Sequence, residues 1–446
     1  MKPSSKLPLS KPTLLLVCTL LMLPWSQSSF AADLLQVYEL ARKNDAQLMI
    51  AEANYLAASQ GVPLAESTNR PQLSLGGTGS VRETDESNSG RNSSSNAGFN
   101  VNLTQSLFNT ENDGNISVAE ANTAAELAVL KGARQGLLLR AARAYFAILA
   151  ATDNVEFTYA ERNAIARQLE EAQKRFEVGL IAITDVYEAQ ASFDNSEAQV
   201  ILAENILENG FQSLVVLTAD SSINELKPLG EDLKLSLPNP ATVESWVLLA
   251  LENNFDLLAA QQNLTAARYE RDTSNRNRYP TIDLFARYEH NEDQDDLRDD
   301  SDRDDVIVGI EVDIPLYAGG RIPSERAEAE SRYVAAQNTL LLQNRLTVQQ
   351  TRTTFLDVVS GISQVQALKQ AFESSKIALE ATQAGFEVGT RTSVDVLISL
   401  RETYRTQRDY AGSRYNYVLN KLRLKQAAGI LSEEDLVEVN KTLTDL

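Results

Sequence analysis

The chain repeats itself once. Residues 41–54 (ARKNDAQLMIAEAN) align with residues 250–263 (ALENNFDLLAAQQN) at an offset of 209, and the same offset pairs Pro71 with Pro280 and Phe108 with Tyr317. One inserted residue then moves the offset to 210, where RFEVGLIAITDV (175–186) meets GFEVGTRTSVDV (385–396) with six of twelve positions identical. Solenoid and propeller repeats have periods of roughly 20–50 residues. A period this long marks a duplicated half-chain, with a first repeat over 32–240 and a second over 241–428.

Each half reads as helix, hairpin, long helix, turn and helix. In the first half, residues 34–68 are rich in Leu, Ala, Glu and Gln and predict one uninterrupted helix. Pro71 ends it and opens a hairpin over 71–108. Apolar or small residues alternate at Leu73, Leu75, Gly77, Gly79 and Val81, then at Phe99, Val101, Leu103, Gln105 and Leu107, around a polar loop at 82–96. The second hairpin, 280–317, repeats the plan with Ile282, Leu284, Ala286 and Tyr288, then Val306, Val308, Ile310, Val312, Ile314 and Leu316. Its loop, 291–304 (NEDQDDLRDDSDRD), is strongly acidic.

Strands of about 10 residues with this alternation fit a transmembrane β-barrel, and they fit two soluble hairpins as well. Four strands cannot close a barrel, since about eight are needed. The chain must therefore oligomerise or pack its sheet on something else. Three copies supply twelve strands, but spacing alone does not choose among two, three or four.

After each hairpin comes a stretch with almost no helix breaker, 109–178 and 326–388. At 1.5 Å per residue each would run on the order of 100 Å, a length typical of coiled coils. Phe355, Val358, Ile362, Val365 and Phe372 recur at three- and four-residue steps, as a packed seam or an ordinary bundle core requires. Residues 219–242 and 429–446 read as an irregular, mixed patch beside the helices.

The N-terminus has the pattern of a secretory signal peptide over 1–31: Lys2, Lys6 and Lys11, a short apolar run at 14–23, then Ser29, Phe30 and Ala31. The run is too short to span a bilayer, and no later stretch reads as a membrane helix. Cys18, the only cysteine, lies inside this leader. Val17 before it and apolar residues after it favour cleavage over a lipid anchor. With 41 basic against 61 acidic residues the chain is net negative, which disfavours nucleic-acid binding. His290 is the only histidine and has no cysteine with which to build a metal site, and it is expected at a strand end on the surface. The acidic loop lacks calcium-loop spacing. No catalytic residue, metal site or cofactor is expected.

The turn motifs FEVGLIAITDV (176–186) and FEVGTRTSVDVL (386–397), with VDIPLYAGG (312–320) and RYNYVLNKLRLKQAAGILSEEDL (414–436), resemble the TolC family of outer-membrane efflux proteins over essentially the whole mature chain. The resemblance implies a mixed α and β membrane protein of a Gram-negative outer membrane: a trimeric, twelve-stranded β-barrel in lipid, four strands per protomer. It continues into a long periplasmic α-helical barrel of coiled coils with a closed end. It further implies a passive exit duct for tripartite efflux or type I protein secretion, opened by a periplasmic adaptor and an inner-membrane pump of the RND, ABC or MFS type.

On the matching positions, Val178, Gly179, Leu180, Val388, Gly389 and Thr390 become adaptor-contacting hairpin tips. Thr184 and Asp185 on one coil and Arg391 on the other become gate links. Asp395 becomes an aperture ring whose mutual repulsion raises its pKa. The chain departs from the pattern twice: Phe386 stands in place of a tyrosine and Ile398 in place of a second aspartate, which implies a weaker lock and a single acidic ring. Two other readings stand beside this one. A secreted coiled-coil adhesin or scaffold explains the seams and the acidity, but not two membrane-like hairpins or the repeated glycine turns. A duct dedicated to one protein-secretion or metal-efflux system differs only in partners that the chain does not encode.

Overall fold

At Asp45 and again at Asn254 the backbone leaves the helix for a single extended residue and re-enters it at once. In the computed structural model, which describes residues 31–444 apart from 87–89, 232 and 296–297, this break divides the expected first helix into α1 (Leu34–Asn44) and α2 (Ala46–Ser67). Its repeat copy divides α5 (Val243–Asn253) from α6 (Phe255–Ser274). Each break residue caps the helix that follows. Asp45 accepts from the Leu48 N–H at 2.7 Å and Asn254 from the Leu257 N–H at 3.0 Å, which satisfies a donor the helix start leaves unpaired. Asp45 is also buried and receives Arg140 at 2.7 Å. Pro63 lies within α2 without ending it, on an exposed face where water can take the carbonyl it frees.

The remaining elements are β1 (Gln72–Glu86), β2 (Gly90–Phe108), α3 (Thr110–Glu177), α4 (Ile183–Thr218), β3 (Thr281–Asp295), β4 (Arg298–Asp313), α7 (Arg321–Glu387), α8 (Ser393–Ala427) and α9 (Glu433–Asn440). The order α1-α2-β1-β2-α3-α4 recurs as α5-α6-β3-β4-α7-α8, so the duplication holds element by element. α7 starts before Pro323, which is tolerated because a first-turn N–H has no intrahelical acceptor. The C-terminal segment, expected to be irregular, contains α9, whose Ser432 and Asp435 form a reciprocal cap. The leader expected over 1–31 lies, except for Ala31, outside the described residues.

The four strands form one antiparallel sheet in the order β1-β2-β3-β4. Register puts Leu73, Leu103, Ala286 and Val308 in one row and Leu75, Val101, Tyr288 and Val306 in the next. Directly paired residues share a face, so one face of the sheet is apolar from edge to edge. The opposite face is mixed, with rows such as Ser74, Asn102, Arg287 and Ile307. The apolar rows end where Phe99 meets His290 and His290 meets Asp304, with His290 Nδ1 2.9 Å from that carboxylate. His290 is therefore inside β3, not at a strand end. The residues read as loops, 82–96 and 291–304, largely extend the strands to 15–19 residues. The ladder is made by backbone groups, so polar and acidic side chains do not end it.

The main core lies where α1, α3, α4, α5, α8 and α9 meet, around Leu34, Tyr145, Phe146, Trp246, Tyr417 and Leu436. The Tyr145 hydroxyl donates to the Lys227 carbonyl at 2.7 Å, and short bridges Ala32–Leu226 and Leu229–Leu443 tie the irregular segments to this core. The predicted seam packs α7 on α8: Phe355, Val358 and Val365 are buried, and Phe372 stacks on Tyr410 at 6.5 Å. Two helix junctions share this region. Asn44 Nδ2 donates to the Thr218 carbonyl at the end of α4, and Asn254 Nδ2 donates to the Ala427 carbonyl at the end of α8. Gly429 packs so closely on the Asn253 carbonyl that a Cβ would come within 2.2 Å of its oxygen.

α4 is, contrary to the sequence reading, long and apolar enough over 18 residues to pass as a membrane span, with only 22% of that window buried. Ile201, Leu202, Ile206 and Val216 are exposed on it.

Replacing Asp45 with alanine leaves the Leu48 N–H uncapped and Arg140 without its carboxylate. It is expected to destabilise the protein by about 1–2 kcal/mol, more than Asn254→Ala, whose position has no such ion pair. Thermal melts of the detergent-purified protein by near-UV circular dichroism check the order of the two effects.

Candidate functional site

α3 runs into α4 and α7 into α8 through turns with the same backbone path. Val178 and Val388 are the C-caps, and Gly179 and Gly389 follow at φ 75° and 78°. The Leu180 and Thr390 N–H groups return to the Arg175 and Gly385 carbonyls at 2.9 and 2.8 Å, and the glycine N–H groups to those of Phe176 and Phe386. This is the Schellman closure, in which a left-handed residue lets a helix end and reverse. A Cβ at either glycine would meet nothing within 4 Å, so the requirement there is the backbone angle rather than space. The tips are bare: Val178, Leu180 and Val388 are 70%, 71% and 75% exposed, and Gly179, Gly389 and Thr390 are exposed too.

Just behind the tips, Ile165 and Ala172 of α3, Ala189 of α4, and Leu397 and Leu400 of α8 form a second, smaller core that joins the two helical hairpins. Phe386 is drawn into the same junction, 7% exposed, with the Arg175 guanidinium 4.2 Å from its ring centroid. Glu171 holds Arg175 at 2.7 Å from the adjacent turn. Such a stack contributes about 0.5–2 kcal/mol. The aromatic ring at this position thus carries no hydroxyl but is engaged, between the end of α3 and the end of α7. Arg175 was not singled out in the sequence. The signal available was a difference between the repeats: position 175 is arginine where its counterpart is Gly385. That glycine has its own use, since a Cβ there would come within 2.8 Å of the Arg391 side chain.

The repeats also differ at the start of the returning helices. Thr392 caps α8 and exchanges bonds with Asp395: its N–H and hydroxyl donate to the Asp395 carboxylate at 2.9 and 3.0 Å. These bonds, with Arg391 nearby, hold the Asp395 carboxyl below the usual range in one chain, opposite in direction to the rise expected from a ring of repelling copies. The equivalent cap of α4 is Ala182, which has no side chain to offer. Asp185, the counterpart of Asp395, is therefore not tied into a cap; it is half-buried beside the exposed Thr184. Arg391 is exposed, and among the described residues no ion pair joins it to Asp185 within one chain. Ile398 is exposed one turn beyond Asp395.

The chain matches the family described as "Outer membrane efflux protein" over residues 37–219 and 246–430, one stretch in each repeat. It is 36% identical to the outer membrane protein TolC of Vibrio cholerae over 423 residues, covering 94% of this chain and 95% of that protein. It is 26% identical to the alkaline protease secretion protein AprF of Pseudomonas aeruginosa, covering 92% and 87%. The CmeC outer membrane channel of Campylobacter jejuni shares the fold with a TM-score of 0.77 at 15% identity, covering 99% of this chain and 98% of that one. These relatives are named as an outer membrane protein, a secretion protein and an outer membrane channel. A sheet with apolar rows across all four strands on one face, paired helical hairpins and a family match through both repeats place this chain among the outer membrane efflux proteins: it belongs to that family and is an outer-membrane duct reaching into the periplasm.

Proposed function

We propose that three copies of this chain close into a passive exit duct for tripartite efflux and type I secretion, gated at the helical tips. The observation that carries this reading is the four-stranded sheet, with apolar rows crossing all four strands on one face and, among the described residues, the outer edges of β1 and β4 unpaired within the chain. Unpaired backbone groups cannot be left in lipid, so the edges must meet other strands. Three copies give twelve strands, enough for a water-filled barrel. Exposed apolar residues on α4 and on α7, among them Leu342, Leu356 and Ile377, offer the matching helical contacts between copies. The relatives named for outer-membrane export and for protease secretion support both uses.

The bare tips Val178, Gly179, Leu180, Val388, Gly389 and Thr390 form the adaptor contact, and the adaptor couples the duct to an RND, ABC or MFS pump. The gate link runs from Arg391 of one copy to Asp185 and Thr184 of its neighbour. For exposed groups each such pair is worth about 0–1 kcal/mol. Taking a gate from 1:99 to 99:1 needs about 5.5 kcal/mol, so three such pairs together with the Arg175–Phe386 stack set a barrier that adaptor binding can overcome. Asp395 lines the aperture, alone in its ring because Ile398 adds no second carboxylate.

Light scattering on the detergent-purified protein is expected to give the mass of three chains. In planar bilayers, Arg391→Ser or Asp185→Ala should raise single-channel conductance; an unchanged closed state would remove these residues from the gate. Phe386→Tyr restores a hydroxyl toward Asp185 and should lower conductance, whereas Phe386→Leu loses the Arg175 stack and should raise it. Asp395→Ala should weaken block by multivalent cations. In the ring the Thr392 bonds, which favour the charged carboxylate, oppose the repulsion among the three copies, so Thr392→Ala should make block fade at a higher pH than in the wild type.

A further inference from the structure

Two arginines with no carboxylate partner stand side by side in a chain that carries a net charge of −20. Arg143 of α3 makes no ion pair or hydrogen bond among the described residues. Arg423 of α8 gives Nη1 to the Asn420 side chain at 3.0 Å, while its buried Nε has no partner. Arg143 is exposed, and partial desolvation together with the nearby Arg423 charge lowers its pKa. Both line a cavity of about 320 Å³ with Gln350, Gln426, Asn254 and Asp256. Apart from Asp256, the polar side chains of this wall are amides and guanidinium groups, beside Phe255 and Ala427. Asp256 is exposed, and no ion pair joins it to either arginine among the described residues. The start of α6 opens on the same cavity, where it meets the carbonyl end of α8 so that the two helix dipoles offset each other, and the two guanidinium groups supply the positive charge.

The cavity's position says what it faces. On α3, Arg134 and Leu138 lie about half a turn round from Arg143 and line a different cavity, with Tyr38 of α1 and Glu433 of α9. On α8, Lys421 and Lys425 lie similarly opposite Arg423 and face the C-terminal segment. The paired arginines therefore sit on the side of the helical wall turned away from the α1 and α9 patch. They are bounded by α3 and α7 of the same chain, so no neighbouring copy is needed to complete the site. In the closed duct proposed above, on which this placement rests, that side is the lumen.

We propose that Arg143 and Arg423 form an oxyanion-binding site on the luminal wall, one per chain, which takes carboxylate, sulfonate or phosphate groups of molecules in transit. A bound oxyanion removes the repulsion between the two guanidinium groups and accepts their charge-assisted hydrogen bonds. The ring of three sites gives an otherwise acidic duct a local station for anionic cargo.

Isothermal titration of the detergent-purified protein with inorganic tripolyphosphate tests this. Binding at one site per chain is expected, weakened at least tenfold in Arg143→Gln/Arg423→Gln and unchanged in Arg134→Gln, whose arginine pairs with Glu52 on the opposite face. Equal binding by the double variant, or none by the wild type, overturns the site. In planar bilayers, tripolyphosphate added on the side of the sheet should reduce the wild-type current and spare the double variant. Binding without any loss of current overturns the luminal placement, whereas a protein that conducts nothing counts against the duct itself and leaves the calorimetric answer standing.

Discussion

A sheet in lipid cannot keep a free edge, and most of this architecture follows from that. In water an edge strand can be tolerated with charge, bulges or short length. In a bilayer each unpaired N–H and C=O costs several kcal/mol, and only closure removes them all. Four strands are too few for closure, so the chain depends on copies of itself. The dependence then passes down the molecule: each strand pair leads into a helical hairpin, and copies that share a barrel must also share a helical wall. The apolar residues left exposed on α4 and α7 are what such a wall needs between subunits.

Duplication supplies near-equivalent halves, and the residues just behind the tips are where the halves differ. The two tips close with the same hydrogen bonds and the same glycine angle. Behind them, Ala182 against Thr392 decides whether the following aspartate is spent on a cap or left for another partner. Arg175 against Gly385 decides which hairpin reaches across to the other and which leaves room for Arg391. Small changes between repeats thus divide the labour of one motif without altering its backbone.

Much of the fold was legible because it follows from periodicity. The alternation at Leu73, Leu75, Val101 and Leu103 gives the apolar face directly, and the scarcity of breakers over 109–178 gives the long helix. What was not legible depends on something other than side-chain pattern. The strands run on through polar residues because the ladder belongs to the backbone. The break at Asp45 is one residue wide, too short to disturb composition, although Asp45 and Asn254 are good capping residues at equivalent places. The two tip turns were legible, because each is one contiguous motif. The Arg175–Phe386 stack and the Arg143–Arg423 pair join residues more than two hundred positions apart, and no local pattern announces such meetings.

The junctions at Asn44 and Asn254 have a mechanical meaning. At each, the carbonyl end of one helix abuts the amide end of another, held by an asparagine side chain, and the helix dipoles run head to tail. α4 is spliced to α2 in this way and α8 to α6, like two timbers scarfed into one beam. A push or twist applied at a hairpin tip is then carried along a strut far longer than either helix, and the splice is the place where that strut can bend.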